Sequence, residues 1–226
     1  IQDDVGNDNT ATTTAYILDT TAPTITYTGA IEISADTGTS DSDFNTKTAA
    51  QTLTATLSGA IAADDILQVS VNAGSSWADD NHDTDDGTAL STAITLSGTS
   101  SIHVRIKDDA GNIGTATTQA YILDTTAPTI TYTTAIDISA DTGTSDSDFN
   151  TKTAAQTLTA TLSAAIASDD ILQHSIDDGS NWINDDHNTA AGTSLSTAIT
   201  LSGSSTIHIR ITDDAGNSGT ATTQAY

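Results

Sequence analysis

The residues of this 226-residue chain that could do chemistry are oxygen donors set in turns. Asp36-Thr-Gly-Thr-Ser-Asp-Ser-Asp43 and Asp108-Asp-Ala-Gly-Asn112 mix carboxylates and an amide with turn-forming Gly and Ser. Both recur unchanged, at Asp141 to Asp148 and at Asp213 to Asn217. Asp19 and Asp124 stand in identical Leu-Asp-Thr-Thr-Ala-Pro segments. Calcium takes six to eight oxygens from carboxylates, amides and carbonyls, which this mixture supplies. Magnesium demands a tighter octahedron and keeps its water, so it is the poorer match. Zinc is poorer still, because there is no cysteine and only five histidines. The candidate ligands are therefore Asp19, Asp36, Asp43, Asp108, Asp109, Asn112, Asp124, Asp141, Asp148, Asp213, Asp214 and Asn217. The competing reading of any one of them is a solvated turn, which Asp and Asn favour without an ion.

Other chemistries find little support. The sequence shows no Ser/His/Asp or Cys/His constellation and no phosphate loop, and Glu32 is its sole glutamate, so an enzyme is not expected. Thirty acidic residues against five basic ones give a formal charge of −25. That leaves no cationic footprint for nucleic acid and argues against docking on an anionic membrane. High acidity also serves solubility, so charge alone does not decide for cations. No segment is apolar enough to span a membrane.

The elements that position these turns repeat every 105 residues: residues 17–121 and 122–226 align without a gap at about 80 % identity. Residues 1–16 match 106–121 and read as the tail of a further copy. The expected organisation is a strand remnant at 1–18 followed by repeats at 19–123 and 124–226. Each unit is long enough to bury its own core.

Within repeat 1, Ala22–Tyr27 and Ala30–Ser34 alternate and predict a first strand with a break. Gln51–Leu57 alternates strictly, with Leu53, Ala55 and Leu57 inward, and Ile66–Val71 follows after the Asp64-Asp65 turn. Leu90–Leu96, Ile102–Ile106 and Thr115–Leu123 complete about seven strands without helical periodicity, which predicts an antiparallel two-sheet sandwich. Trp77 and Trp182 are expected as core anchors, and His103 and His208 as surface side chains of strands. The acidic stretch 78–88, with Asp79, Asp80, His82, Asp83, Asp85 and Asp86, is read as a solvated loop. Its counterpart, which contains His187, replaces several of these acids with Asn or Ala.

Four motifs occur in order: Asp36-Thr-Gly-x-Ser-x-x-Asp43, Gly74-x-x-Trp77, Arg105-x-x-Asp108-x-Ala-Gly-Asn112 and Asp124-Thr-Thr-Ala-Pro128. With them the chain resembles the bacterial Ig-like repeat of giant Gram-negative adhesins of the RTX and biofilm-associated types. It is similar to extender-region repeats of long marine adhesins, ice-binding ones among them. The resemblance implies an all-β fold of tandem Ig-like antiparallel sandwiches arranged end to end. It also implies Ca2+ as the stiffening cofactor, type I export and an extracellular position on the bacterial surface. Asn72-Ala-Gly74 departs from the family's Asp-Gly-Gly, whereas Asp177-Asp-Gly179 is nearer to it.

Sandwich topology sends the Asp36–Asp43 loop to the exit end of its unit and returns the Asp64-Asp65 and Asp108–Asn112 turns to the entrance. The loop of one repeat, the linker Asp124 and the Asp213–Asn217 turn of the next should then converge at the junction. The expected function is a monomeric structural extender whose partners are neighbouring repeats and whose length grows about 40 Å per unit. The alternative is a calcium-dependent, lectin-like carbohydrate-binding module.

Overall fold

The computed structural model describes residues 4–6, 8, 10, 12–24, 26–80, 88–129, 131–185 and 193–226. The acidic stretch 81–87 and its counterpart 186–192, with His82, Asp83, Asp85, Asp86 and His187, lie outside the described residues.

The period-2 alternation becomes strand structure with alternating burial. The strand β3 (Ala50–Thr56) buries Gln51, Leu53 and Ala55 and exposes the residues between them. It pairs on one side with β1 (Glu32–Ile33) and on the other with β6 (Ala89–Thr95), forming a three-stranded antiparallel sheet. Tyr27 bridges Leu57, so residues 27–33 follow β3 with a break, as the two alternating runs predict. The facing sheet runs β2 (Asn45–Thr46), β8 (Thr117–Leu123), β7 (Thr99–Lys107), β4 (Ile66–Ser70) and β5 (Ala78–Asp80). Leu53 and Leu90 of one sheet and Leu67, Ile102, Val104 and Ile106 of the other share one apolar core. Burial of this kind is the main favourable term in folding.

Repeat 2 follows the same plan. Its small sheet is β13 (Ser194–Thr200), β10 (Ala155–Thr161) and β9 (Asp137–Ile138). Its larger sheet is β12 (Ile183–Asn184), β11 (Ile171–Ser175), β14 (Thr206–Thr212) and β15 (Thr222–Ala225). A second core gathers Leu158, Leu172, Leu195, Ile207, Ile209 and Ile211. The fold is all-β, with β-sandwiches of antiparallel sheets and no helix among the described residues.

Three details differ from the sequence-based expectation. Ala78–Asp80, read as the start of a solvated loop, forms the edge strand β5, because its backbone pairs with β4. Asn45–Thr46 runs parallel, not antiparallel, to Ile122–Leu123, because the exit loop lies alongside the strand that leaves the unit. Trp77 and Trp182 are not core anchors, and neither belongs to a core cluster. The inward positions of β7 are Ile102, Val104 and Ile106, which leaves His103 and Arg105 on the outer face. Trp77 joins that outer face: the Arg105 guanidinium lies 3.6 Å from its ring centroid, and His103 meets it edge-on at 6.3 Å. Its Nε1–H donates to the Gly74 carbonyl (3.1 Å), within a turn where Ala73 and Gly74 both have positive φ. Trp182, Arg210 and His208 repeat the arrangement. The core aromatics are instead Phe44 and Tyr121, 5 % and 2 % exposed, with the Tyr121 hydroxyl donating to the Val71 carbonyl (2.7 Å).

Candidate functional site

The site is the joint where the exit loop of repeat 1 meets the entrance turn of repeat 2. The loop is braced from within. Phe44 sits at φ 63°, a conformation costly for a bulky residue, and is held by its buried ring and by N–H donation to Asp36 Oδ2 (2.8 Å). Asp43 Oδ1 accepts the Asn45 N–H (2.9 Å). Thr46 is fully buried and donates its hydroxyl to the Ala35 carbonyl (2.6 Å). Gln51, 4 % exposed, accepts from the Ala35 N–H and donates to the Ala35 and Thr48 carbonyls. Asp141, Phe149, Asp148, Thr151 and Gln156 reproduce this bracing in repeat 2.

The entrance turn is equally self-contained. Asp213 accepts from the Asn217 N–H at Oδ1 (2.7 Å) and from its Nδ2–H at Oδ2 (2.9 Å). Asn217 Nδ2 also donates to the Asp124 carbonyl (2.9 Å), which ties the turn to the linker. Asp108, Asn112 and the Asp19 carbonyl form the same triangle in repeat 1.

Loop and turn then interlock. The Thr39 N–H donates to the Asp214 carbonyl (3.2 Å) and its hydroxyl to Asp214 Oδ1 (2.9 Å). Asn45 Nδ2–H donates to Asp214 Oδ2 (2.5 Å), and the Thr37 hydroxyl to the Ala215 carbonyl (2.8 Å). The Lys47 ammonium donates to the Gly216 carbonyl (2.6 Å). Two glycines allow the backbones this close: a side chain on Gly38 would collide with the Asp214 carbonyl, and one on Gly216 with the Thr37 carbonyl. The linker takes part as well, since the Asp124 N–H donates to the Thr46 carbonyl (3.0 Å).

The structure thus brings Asp36, Asp43, the Asp124 backbone, Asp213, Asp214 and Asn217 to one joint. Their carboxylates mainly accept protein donors. The Asp124 carboxylate caps the Thr126 N–H (2.8 Å), as Asp19 caps Thr21 (2.9 Å), and it is the Asp124 carbonyl that meets Asn217. Asp109 is exposed in its turn, and Asp141 and Asp148 brace the loop of repeat 2. Among the described residues no group of three or more His, Asp or Glu side chains is arranged to hold a metal ion. On the repeat 1 loop, Asp36 Oδ1 and Asn45 Oδ1 are both buried and without a hydrogen-bond partner. Asp141 Oδ1 has the same status in repeat 2.

Acid accumulates on both sides of the joint. Burial raises the Asp36 pKa above the ordinary carboxylate value; the Phe44 N–H opposes the rise, and Asp43 and Asp41 add to it. The Asp170 pKa is raised by burial, then by Asp169, Asp213 and Asp214, against the lowering Ala167 N–H. Asp65 is likewise raised by burial and by Asp108, which sets the Asp64-Asp65 turn beside Asp108 at the entrance end.

Sequence reasoning missed Thr37, Gly38, Thr39, Asn45, Lys47 and Gly216 as joint residues. Their available signal was an unbroken run of small polar residues between two acids, followed by Phe44-Asn-Thr-Lys47. Asp79 is exposed, as a solvated side chain would be, and its Oδ1 also accepts from Gln68 Nε2–H (2.7 Å). The Asn72 departure has a structural account. Asn72 Oδ1 accepts from the Ser70 hydroxyl and the Ser76 N–H, the same roles that Asp177 Oδ1 fills toward Ser175 and Asn181. These donors, Asn181 foremost, hold the Asp177 carboxyl down to about 2.

No protein-family model matches the sequence. No curated protein matches it either. Several solved structures show a partial likeness, three of which illustrate its range. One is a tetra-tandem repeat from the extending region of a large adhesion protein, at 17 % identity over 86 % of this chain and 48 % of that one, with a TM-score of 0.25. This chain therefore corresponds to about half of that structure's length. The second is a cytokine receptor complex, at 12 % identity over 76 % and 90 % of the two chains, TM-score 0.24. The third is Tp47, the 47-kilodalton lipoprotein of Treponema pallidum, at 11 % identity over 87 % and 51 %, TM-score 0.28. Likeness at such scores carries no functional weight for this chain, which leaves function to its own residues.

Proposed function

We propose that this chain is an extender segment: tandem sandwiches whose activity is reach and stiffness, within the stalk of a large secreted adhesin on a bacterial surface. The observation that carries the reading is the interlock of the Asp36–Lys47 loop with the Asp213–Asn217 turn. Both halves recur in each repeat, so every added copy can extend the array by the same joint. The motifs shared with adhesin repeats support the adhesin and cell-surface part. A divalent cation, calcium by the oxygen chemistry, would be held by Asp36 and Asn45 with carbonyls and water completing its shell. It would offset the repulsion among Asp36, Asp41 and Asp43. The alternative of a carbohydrate-binding module gains one observation, since Trp77 and Trp182 lie on the outer face; an arginine over each ring offsets that gain.

Small-angle scattering and thermal melting of the chain, with calcium and with chelator, test the reading. The expected result is an extended particle that becomes more mobile and melts earlier on chelation. Indifference of both shape and melting to chelation removes calcium from the proposal. A compact or freely hinged particle in calcium removes the extender itself, and saturable binding on a glycan array favours the module.

A further inference from the structure

Repeat 2 carries a buried titratable group that repeat 1 lacks. His174 on β11 stands where Val69 stands on β4. It is 4 % exposed, and Val69 is 5 % exposed, so both side chains occupy a core-facing slot. The strand neighbours change with it: His174 lies opposite Ile209 and Ile183, whereas Val69 lies opposite Val104 and Ala78. His174 Nδ1 is buried without a hydrogen-bond partner.

Among the described residues, the charged group acting on His174 is Asp185, itself 5 % exposed, which follows β12. From β14 the facing residue is Ile209; His208 and Arg210 alternate to the outer face, where they meet Trp182. Across the sandwich, β13 presents Leu195 and Ile199 to the core. A neutral imidazole tolerates such a slot better than an imidazolium does.

We propose that His174 makes repeat 2 the acid-sensitive unit of this chain, so that mild acid loosens its sandwich while repeat 1 stays firm. Burial lowers the folded His174 pKa below the ordinary 6.5, and the opposing pull of Asp185 is the smaller effect. The unfolded chain then binds a proton that the folded chain refuses. The stabilisation is complete above the unfolded value of 6.5 and is lost as pH falls from there toward the lowered folded value.

Two measurements on the full chain test this. The first is an NMR titration of the His174 ring in the folded chain. A midpoint below 6.5 is expected, and a midpoint at or above 6.5 overturns the proposal. The second is thermal melting between pH 7.5 and 5.5, a window above ordinary carboxylate titration. Melting should fall by several degrees in the native chain, and the fall should shrink in His174→Val, which installs the residue of repeat 1. An equal fall in His174→Val overturns the proposal, even with the titration as expected. The reciprocal Val69→His should enlarge the fall if it folds; the titration and His174→Val decide the matter without it.

Discussion

The turns Asp108–Asn112 and Asp213–Asn217 have the same five residues and the same internal hydrogen bonds, yet different surroundings. In repeat 2, Asp213 is 8 % exposed and Ala215 is 2 % exposed; in repeat 1, Asp108 is half-buried and Ala110 exposed. The two loops differ in the same way. Thr46 is fully buried beside the departing strand, and its twin Thr151 is half-buried. Local geometry is therefore complete before docking, and docking adds burial without rebuilding either half. An interface made of two preorganised pieces loses little conformational freedom on closing, which is what a stiff joint needs.

Paired substitutions in the two copies separate folding from docking. The largest contrast is expected for Gly216→Ala against Gly111→Ala. Both positions have φ near 90°, so each variant costs about 1 kcal/mol of backbone strain. Only at Gly216 does the added methyl strike another repeat, so only that variant should open the joint. Residual dipolar couplings of the two sandwiches would show independent orientation in one variant and not in the other. Equal coupling in both would dissolve the contrast.

Asn45→Ala against Asn150→Ala comes next. Asn45 donates to the Asp214 carboxylate, and a hydrogen bond to a charged group contributes about 1.5–3 kcal/mol. Interdomain mobility from NMR relaxation should rise in Asn45→Ala and remain native in Asn150→Ala. Lys47→Gln should do less, about 0.5 kcal/mol, because Lys47 is exposed and its bond to Gly216 is screened. Its effect should fade at high salt, which a salt series of the same relaxation data would check.

The smallest effect is the acid response of Asp36. Its folded pKa is raised, so its folded form keeps a proton that the unfolded chain has lost. Stability should fall as pH rises from 3.8 through the raised value, and Asp36→Asn should flatten that slope in acid melting curves.

Much of the fold was legible because side-chain alternation reports directly on strand faces. Gln51–Leu57 and Ile102–Ile106 announced which residues face inward, and Leu53, Ile102, Val104 and Ile106 are fully or almost fully buried. The tryptophans were not legible in this way. Each precedes a short strand and follows a left-handed turn, so its side is set by that turn and by an arginine 28 residues later. The candidate site was legible in part. Acidic turns marked the ends of each unit, but not that their carboxylates would mainly accept hydroxyl, amide and backbone N–H donors.

The sequence by itself determined the 105-residue period, which is read by direct comparison of the copies, and the strand faces, which depend on alternation among residues near one another along the chain. Only the tertiary structure showed that the loop of repeat 1 and the turn of repeat 2 dock on each other. The deciding contacts, from Asn45 to Asp214 and from Thr37 to Ala215, span 169 and 178 residues. Contacts between residues so far apart leave no mark on local residue preferences, so the folded chain alone reveals them.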